Sequence, residues 1–548
     1  MIAPVRSVRP EHGGFIVKKI SGLLLMGCSA LALAGCGADD ISSPGAGSID
    51  VDITNPTPTP TPTPGTGLVE AATDCPAIGA TGGLTNSGTV SGPEGTWRVC
   101  TLPSLIDAST TLPKVDGVLY RMNGRVDVGC DGGLTAPTTG APFSTTTLSC
   151  GGRSLTADTN VTLTIEPGVI VYGQNGADPA WLAVNRGNKI NAEGTLAQPI
   201  IFTTYENVRG TATEATDGRW GGIVLMGRGI ITDCTAGGST TAGTCERDTE
   251  GSANPAVFGG KDNTYNAGIM KYVQIRFSGY VLGSNTELQA LTTEGTGTGT
   301  TLEYIQSVNS SDDGAEFFGG AVNMKHYIAV NADDDSLDID TGLQGNFQYV
   351  IIAQRAADGD SLMEVDSNNN EDQTPRQRTV VANFTAIQTG VNNNSNNAAI
   401  FARGNADLTL VNGVVYAPQD ECIRVNGTGT TATRATLTAQ SVVMTCASSG
   451  AFLGTGSYAN ADVQAAFNAG SNNNAAFTST LASTFVNGAN EAGVVAYANI
   501  KSLSSFFDAV TYVGAVKDAS DTWYRGWTCD TATANFGSNS ACTALPVT

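Results

Sequence analysis

The chain has little histidine, few basic residues and no Cys-x-x-Cys pair. Only two of its 548 residues are histidine, at positions 12 and 326, and 28 Lys and Arg face 50 Asp and Glu. So acidic a chain argues against nucleic acid as a partner. The scarcity of histidine disfavours a His-rich metal site or a histidine-based triad, and the missing Cys-x-x-Cys disfavours a thiolate metal cluster.

The N-terminus has the pattern of a secretory signal. Lys18 and Lys19 precede an apolar run from Ile20 to Ala34, which is shorter than the roughly 20 residues of a membrane-spanning helix. The run ends in Leu33-Ala34-Gly35-Cys36, which resembles the bacterial lipobox at every position. The resemblance implies a lipoprotein signal peptide over 1–35 and a membrane anchor through lipid on Cys36. An ordinary signal peptide that contains a cysteine is the alternative.

The residues after Cys36 indicate a destination and a spacer. In bacterial lipoproteins an Asp directly after the cysteine favours the inner membrane, and here Gly37 follows instead. We therefore expect a lipid-anchored outer-membrane protein at the cell surface, with the periplasmic face as the alternative. Residues 36–67 are rich in Thr and Pro, which favours an extended, semi-rigid tether.

Ten cysteines remain after Cys28 is removed with the signal and Cys36 is lipidated. An even number in an exported chain indicates disulfide bonds, and short loops cost the least entropy to close. The predicted pairs are Cys75–Cys100, Cys130–Cys150, Cys234–Cys245, Cys422–Cys446 and Cys529–Cys542.

A repeat predicts the fold. Three similar apolar segments, 302–308, 324–330 and 347–353, begin 22 to 23 residues apart with no helix pattern between them. Short strands at this period predict an all-β chain built as a right-handed parallel β-helix, a solenoid in which each coil stacks on the next. A β-sandwich is the alternative, but its strands recur every 8–12 residues or so.

The repeat suggests a division of the chain. We predict a disulfide-linked N-terminal cap at 68–150, the parallel β-helix at 151–455 and a small α-containing C-terminal cap at 456–548. Helix candidates in the last part are 461–470 and 501–510. Solenoids need such caps because their end coils expose the core.

Several motifs resemble a poorly characterised family of secreted or lipid-anchored parallel β-helix proteins of Gram-negative bacteria. The resemblance covers roughly residues 150 to 530 and implies a cell-surface protein, often encoded beside TonB-dependent outer-membrane receptors. Such a receptor is therefore an expected partner. The motifs are LTIEPG, RGNKINAEGT, PIIFTT, WGGIVLMGRG, SSDDGAEFFGG and YVGAV followed by two tryptophans.

An acidic motif follows each of the three repeated strands. In the predicted register Asp313, Asp335 and Asp360 stack on adjacent coils about 4.8 Å apart, as do Glu316, Asp338 and Glu364. Stacked carboxylates repel unless a cation bridges them, and calcium takes six to eight oxygen ligands. A row of solvated turn residues is the alternative. The predicted calcium ligands are Asp312, Asp313, Glu316, Asp334, Asp335, Asp338, Asp340 and Asp360.

Three functions fit these features. We favour binding of a glycan, nutrient or envelope component, with aromatics such as Tyr172, Trp181, Trp220, Tyr272 and Tyr304 as candidates for stacking on sugars. The second is a calcium-dependent polysaccharide lyase or hydrolase, and the third is a structural surface protein or adhesin. The glycine-rich stretch 295–301 lacks the Lys-Ser/Thr ending of a phosphate loop, so no nucleotide is expected.

The candidate catalytic residues of the enzyme alternative lie near the acidic motif. Lys325 and Arg355 are the candidate bases of a lyase, and Asp312 with Asp313 could form the carboxylate pair of a hydrolase. His326 shares the repeat position of Tyr304, which indicates a stacked strand residue instead of a catalytic one.

Overall fold

The computed structural model of the protein describes residues 68–547, with gaps at 177–178, 252–253, 284–285, 357, 368–372, 392–397, 431 and 539. The predicted signal peptide, Cys36 and the tether lie outside the described residues. Within them, no helix has both the length and the apolar character needed to cross a membrane.

The described chain is dominated by short strands. They are β1 (Thr85–Gly92), β2 (Gly95–Thr101), β3 (Leu105–Ile106), β4 (Thr110–Leu112), β5 (Val118–Met122), β6 (Val126–Val128), β7 (Phe143–Ser144), β8 (Ser154–Leu155), β9 (Thr162–Ile165), β10 (Ile170–Gly173), β11 (Leu182–Val184), β12 (Lys189–Glu193), β13 (Ile200–Thr204), β14 (Ile223–Met226), β15 (Arg247–Asp248), β16 (Val257–Phe258), β17 (Gly268–Arg276), β18 (Tyr280–Gly283), β19 (Thr286–Leu288), β20 (Leu291–Glu294), β21 (Thr301–Val308), β22 (Glu316–Phe318), β23 (Asn323–Val330), β24 (Asp338–Asp340), β25 (Gln344–Gln354), β26 (Met363–Val365), β27 (Arg378–Gln388), β28 (Ile400–Ala402), β29 (Asp407–Ala417), β30 (Ile423–Gly427), β31 (Thr436–Cys446) and β32 (Phe452–Gly456). The helices are α1 (Tyr205–Val208), α2 (Asn460–Asn468) and α3 (Ala489–Ala492), with 3₁₀ turns at Leu148–Cys150 and Ile500–Ser502.

Two sheets form the walls of a parallel β-helix, as the sequence predicts. The long sheet has 15 strands, among them β17, β21, β23, β25, β27, β29 and β31 in that order, and the short sheet has 11, with β20, β22, β24, β26, β28, β30 and β32 in order. From β2 onward each strand in these two sheets pairs in parallel with its neighbours. Each coil therefore contributes one strand to each sheet before the chain rises to the next coil.

The core runs continuously between the two sheets. Inward-facing side chains such as Tyr327, Phe347, Phe317 and Ile339 are fully or almost fully buried in it. Complete burial of one such apolar side chain stabilises the fold by about 1.5–3 kcal/mol. The repeated aliphatic and aromatic residues of the sequence thus become stacked rows of a single core.

One residue in each of seven successive coils interrupts the long strand with a left-handed backbone. The first four are Tyr272, Tyr304, His326 and Tyr349, with φ between 51° and 62°. An extended strand has a negative φ, so each long strand bends at this point. The rings stack, with centroids 4.1 Å apart for Tyr304 and His326. His326 is thus a stacked strand residue, as predicted.

The predicted N-terminal cap is not separate from the β-helix. Although 68–150 was expected to lie outside the solenoid, β2 and β5 pair in parallel within the long sheet, and β3 and β6 do so within the short sheet. These coils differ in length from the later ones, so the 22-residue repeat does not reach them. The solenoid therefore begins near residue 95, and β1 adds an antiparallel strand at its edge.

The predicted C-terminal cap divides into two parts. Helix α2 packs against β31 and β32 and buries Val463 and Phe467 in the core, close to the predicted helix at 461–470. The predicted helix at 501–510 was wrong, because only the 3₁₀ turn at Ile500–Ser502 forms there.

Residues 477–547, here called the return segment, run back along the outside of the long sheet. Gly514 N–H donates to the Asn412 carbonyl, Gln274 donates to the Trp527 carbonyl, and Leu545 N–H donates to Glu94 near the first coil. The segment therefore covers one outer face of the β-helix and does not only close its end.

Five disulfide bonds brace the described chain, and they join the five pairs predicted from the sequence. Each closes a loop of 11 to 25 residues, with S–S distances of 1.99–2.10 Å. Loops of this size stabilise a fold by about 2–4 kcal/mol each.

Candidate functional site

The acidic residues lie where the long sheet gives way to the short sheet. In three consecutive coils, strands β21, β23 and β25 end shortly before these residues, and β22, β24 and β26 contain or follow them. Phe317 and Ile339, the middle residues of β22 and β24, point into the core. Side chains alternate along a strand, so the residues on either side of them face outward.

One outward row crosses the short sheet in the predicted register. Glu316 of β22 pairs with Asp338 of β24, and Asp338 pairs with Glu364 of β26. The predicted stack of these three carboxylates is confirmed. The row continues to Phe401 and Arg424, so its acidic part is limited to three coils.

The stack predicted in the preceding turns was wrong at its last member. Asp335 N–H donates to Asp313 Oδ1 over 2.9 Å, as a stack of these two residues requires. However, Ser361 N–H donates to Asp335 Oδ1, and Asp360 N–H donates to the Asp334 carbonyl. The third coil is four residues longer than the second, which places Ser361 beside Asp335 and Asp360 beside Asp334.

These rows form the wall of one open cavity of about 280 Å³, here called the carboxylate trough. All eight predicted calcium ligands line it. Sequence reasoning did not place Glu250, Glu287, Gln289 and Arg403 there, because the first three come from segments before the repeat. The complete lining is Glu250, Glu287, Gln289, Asp312, Asp313, Glu316, Asp334, Asp335, Asp338, Asp340, Asp360, Glu364, Asp366 and Arg403.

Positive charge is confined to one end of the trough. Arg403 lies 2.6 Å from Glu364 and 2.9 Å from Asp366, measured between guanidinium nitrogen and carboxylate oxygen. It is the one basic residue among the described residues that line the trough. Arg247, close by, forms ion pairs with Glu250 and Asp233. The carboxylates around Asp313 therefore have no basic side chain in the lining beside them.

Burial and mutual repulsion hold many of these carboxyls in their protonated form. Desolvation, followed by the charge of neighbouring carboxylates, raises the pKa of Asp312, Asp313 and Glu316 well above the usual range. The same causes raise the pKa of Asp334 to about 6 and that of Asp340 to about 8. A bound cation would offset this repulsion and favour the ionised forms.

Two buried oxygens in the trough lack a hydrogen-bond partner. Glu316 Oε2 and Asp340 Oδ1 are both shielded from solvent and accept no hydrogen bond from the described residues, although these residues are only 5% and 7% exposed. A buried polar atom left without a partner costs about 1–3 kcal/mol. Both residues line the trough, so a cation there would supply the missing interaction. An all-oxygen donor set without thiolate or imidazole suits calcium.

The basic residues predicted near the site are engaged elsewhere. Lys325 forms an ion pair with Asp508 of the return segment and lies over the ring of Phe506. Arg355 lies between Asp333 and Asp358, with which it forms ion pairs. Neither residue lines the trough.

The aromatics proposed to stack on sugars are mostly core residues. Tyr172, Trp181 and Trp220 are at most 2% exposed. Tyr272 and Tyr304 stack on each other, and the edge of Trp527 covers both. The sequence could not distinguish these positions from exposed ones, because the covering tryptophan lies more than 200 residues away.

A second cavity, of about 520 Å³, lies between the long sheet and the return segment. Its wall carries amide, guanidinium, hydroxyl and phenol groups from Gln354, Arg355, Thr389, Tyr416 and Ser479. Arg355 connects it to the acidic turns through Asp333 and Asp358. We call it the polar cavity.

A parallel β-helix with a carboxylate trough on its short sheet is the class of protein that the fold and the site define. The sequence from 147 to 528 matches the family model of the pectate-lyase like beta helix domain. This match covers well over half of the chain, and the protein belongs to that family. Comparison with curated proteins gave no match, and comparison with solved structures gave none either.

Proposed function

We propose that this protein binds acidic glycans through calcium held in the carboxylate trough. The observation that carries the proposal is the buried, unpartnered Glu316 Oε2 within a trough whose lining has twelve carboxylates and one arginine. Without a cation, such a lining repels itself and any acidic ligand. With calcium, the same lining becomes a site for anions.

Calcium suits this trough better than magnesium. Calcium accepts irregular oxygen coordination at 2.3–2.6 Å, whereas magnesium demands a near-ideal octahedron. The trough offers carboxylates from turns and strands of several coils, which do not form a regular octahedron by design. Its open side leaves coordination positions for water or for the carboxylate of a sugar acid.

The polar cavity and the family support a glycan as ligand. Hydroxyl, amide and phenol groups around Tyr416 match the hydrogen-bonding groups of a sugar. Arg355 could pair with a sugar carboxylate. Membership of the pectate-lyase like family supports a polysaccharide-related role, although a shared fold does not by itself define an activity.

Binding without cleavage is the form of this function that the trough favours. A lyase needs a base that gives up its proton, and Arg403 is the basic residue in the described lining. The carboxylates of Glu364 and Asp366 raise the pKa of Arg403 further, against the burial that lowers it. Lys325 and Arg355 are both ion-paired outside the trough.

A calcium-dependent hydrolase is the second candidate, because one carboxyl has the ionisation of a general acid. Burial and the neighbouring Asp217 raise the pKa of Asp333 to about 7, and Asp333 contacts Arg355 at the edge of the polar cavity. General acids in glycoside hydrolysis have such raised values.

The test is calorimetric titration of polygalacturonate and alginate into the chain from residue 37, with calcium or with EDTA. We expect binding in calcium alone, and its loss in Asp313→Asn. The exposed Asp116→Asn serves as the matched control, and neutral dextran as the control ligand. Absorbance at 235 nm reports lyase products, and a reducing-sugar assay reports hydrolysis. Binding that persists in EDTA would contradict the role of calcium.

We also propose that the protein is held at the outer membrane by lipid on Cys36, with the tether spacing the β-helix from the membrane surface. The support is the lipobox and the Thr-Pro composition of the tether. Labelled palmitate should be incorporated into wild type and not into Cys36→Ser, which should leave the membrane fraction. Protease shaving of intact cells tests surface exposure, and crosslinking followed by mass spectrometry tests a TonB-dependent receptor as partner.

A further inference from the structure

The carboxylates at the arginine-free end of the trough separate into two overlapping sets of three. Asp312, Asp313 and Asp334 form one set, and Asp313, Glu316 and Asp338 form the other. In each set, one carboxylate oxygen from every member lies within 4.8 Å of the others. Asp313 belongs to both sets.

Each set has the dimensions of one calcium site. Calcium–oxygen distances of 2.3–2.6 Å place two ligands on opposite sides of an ion about 4.6–5.2 Å apart. Three oxygens within 4.8 Å of one another can therefore surround a single ion. One ion cannot readily reach all five carboxylates, because the sets extend in different directions from Asp313: one to the turn at Asp334 and one to the strand row at Asp338.

The backbone orients these side chains in advance. Asp313 Oδ1 accepts the N–H of Asp335, and Asp338 Oδ1 accepts the N–H of Ile339 over 2.6 Å. Buried Glu316 contributes the unpartnered Oε2, which is an observation independent of the acidic cluster itself. Ligands oriented before binding lose less entropy when an ion arrives.

Arg403 limits the cations to this end. Its guanidinium already occupies the space between Glu364 and Asp366 and supplies a fixed positive charge there. The five carboxylates of the two sets carry five negative charges, and two calcium ions supply four positive ones. The pair of sites is thus close to neutral and keeps room for water or one sugar carboxylate.

We propose that the trough holds two calcium ions that share Asp313 as a bridging ligand. This inference rests on the proposed calcium-dependent function and specifies its metal centre. A bridged pair would bring two ions close enough for one sugar carboxylate to contact both. The ligand class is then an acidic glycan whose carboxylate completes the coordination of both ions.

The experiment is calorimetric titration of calcium chloride into the chain from residue 37, with total bound calcium counted by atomic emission after dialysis. Wild type should bind two ions per chain. Asp334→Asn and Glu316→Gln should each lose one ion, Asp313→Asn should weaken both by at least tenfold, and Glu364→Gln, at the arginine end, should retain two. Circular dichroism and thermal unfolding in EDTA show whether each variant is folded, and exposed Asp334 is the substitution that least disturbs packing.

Three outcomes overturn the inference in distinguishable ways. One ion per wild-type chain, weakened alike by Asp334→Asn and Glu316→Gln, would mean a single site and would leave the proposed function intact. Two ions of which neither responds to Asp313→Asn would place one or both elsewhere. No calcium at millimolar concentration would overturn this inference and the proposed function together.

Discussion

Asp313 on one coil of the β-helix accepts a hydrogen bond from the backbone N–H of Asp335 on the next, with 2.9 Å between the oxygen and the nitrogen. The bond holds an acidic side chain against the following coil, where another acidic residue occupies the same place. Successive coils thereby gather carboxylates that would otherwise avoid each other. Most of the predictions below concern this enforced proximity.

Calcium affinity should fall steeply on acidification. The pKa of Asp334 is raised to about 6, and those of Asp312 and Asp313 are raised well above their usual value, so protons compete with the cation. Binding should be at least about a hundredfold weaker at pH 5 than at pH 8, because several ligands must release protons. Calorimetry in two buffers of different ionisation enthalpy counts those protons. Equal affinity at both pH values would contradict the assignment of the ligands.

Glu294→Gln should stabilise the protein at alkaline pH. Glu294 is fully buried, Thr249 donates to it, and burial raises its pKa to about 8. The unfolded chain, with a pKa near 4.3, therefore loses the proton first, and stability falls as pH rises toward 8. The variant should match wild type near pH 5 and gain up to about 1.4 kcal/mol per pH unit from there to pH 8. Denaturant unfolding in EDTA at constant ionic strength measures the difference.

Glu491→Gln is the control for this pH dependence. Burial raises the pKa of Glu491, but hydrogen bonds from Thr480 and Ser479 outweigh it, so the pKa is lowered. Its contribution to stability is therefore present above pH 5 and is lost only in acid. The difference between this variant and wild type should stay constant from pH 5 to pH 8.

Arg403→Gln should destabilise the protein in EDTA and make it more responsive to calcium. The change removes two ion pairs and leaves Glu364 and Asp366 buried without their cation. We expect a loss of about 1–2 kcal/mol at pH 8, reduced because the arginine is partly exposed. Calcium should restore much of the loss, and an additional bound ion should appear. Thermal unfolding with and without calcium measures both effects, and an unchanged response to calcium would contradict the neutralising role of Arg403.

Trp527→Ala should loosen the return segment. Trp527 is fully buried, and its ring meets those of Tyr272 and Tyr304 edge-on at centroid distances of 6.0 and 5.8 Å. Removal of a buried tryptophan costs about 3–5 kcal/mol. Calorimetric unfolding measures the loss, and limited proteolysis should show earlier cleavage within the return segment. The exposed Arg525→Ala, two residues away, should change stability by less than about 0.5 kcal/mol.

The repeat predicted the β-helix because the core of each coil is local. The strands predicted at 302–308, 324–330 and 347–353 lie within β21, β23 and β25. The early coils escaped notice because their lengths vary and no fixed spacing connects β2 with β5. Asp360 was assigned to the wrong column for a related reason, since a coil that is longer by four residues changes which side chains are neighbours.

The trough was only partly predictable. Its central carboxylates follow repeated strands, but Glu250 and Glu287 come from insertions whose folding no periodicity describes. Arg403 could have been found by aligning Ile400-Phe401-Ala402 with Met363-Glu364-Val365, which places it in the column of Asp366. The route of the return segment depends on single hydrogen bonds to residues more than 100 positions away, and these have no signature in the sequence.

The return segment also imposes an order on the birth of the molecule. A ribosome makes the chain from its N-terminus, so successive coils can close as they emerge. The aromatic row of Tyr272, Tyr304 and His326, however, stays wet until Trp523 and Trp527 have been made. Leu545, three residues from the end, docks onto Glu94 near the first coil. A truncated product would thus leave an apolar flank uncovered, and only a chain that has been read to its last few codons can bury it.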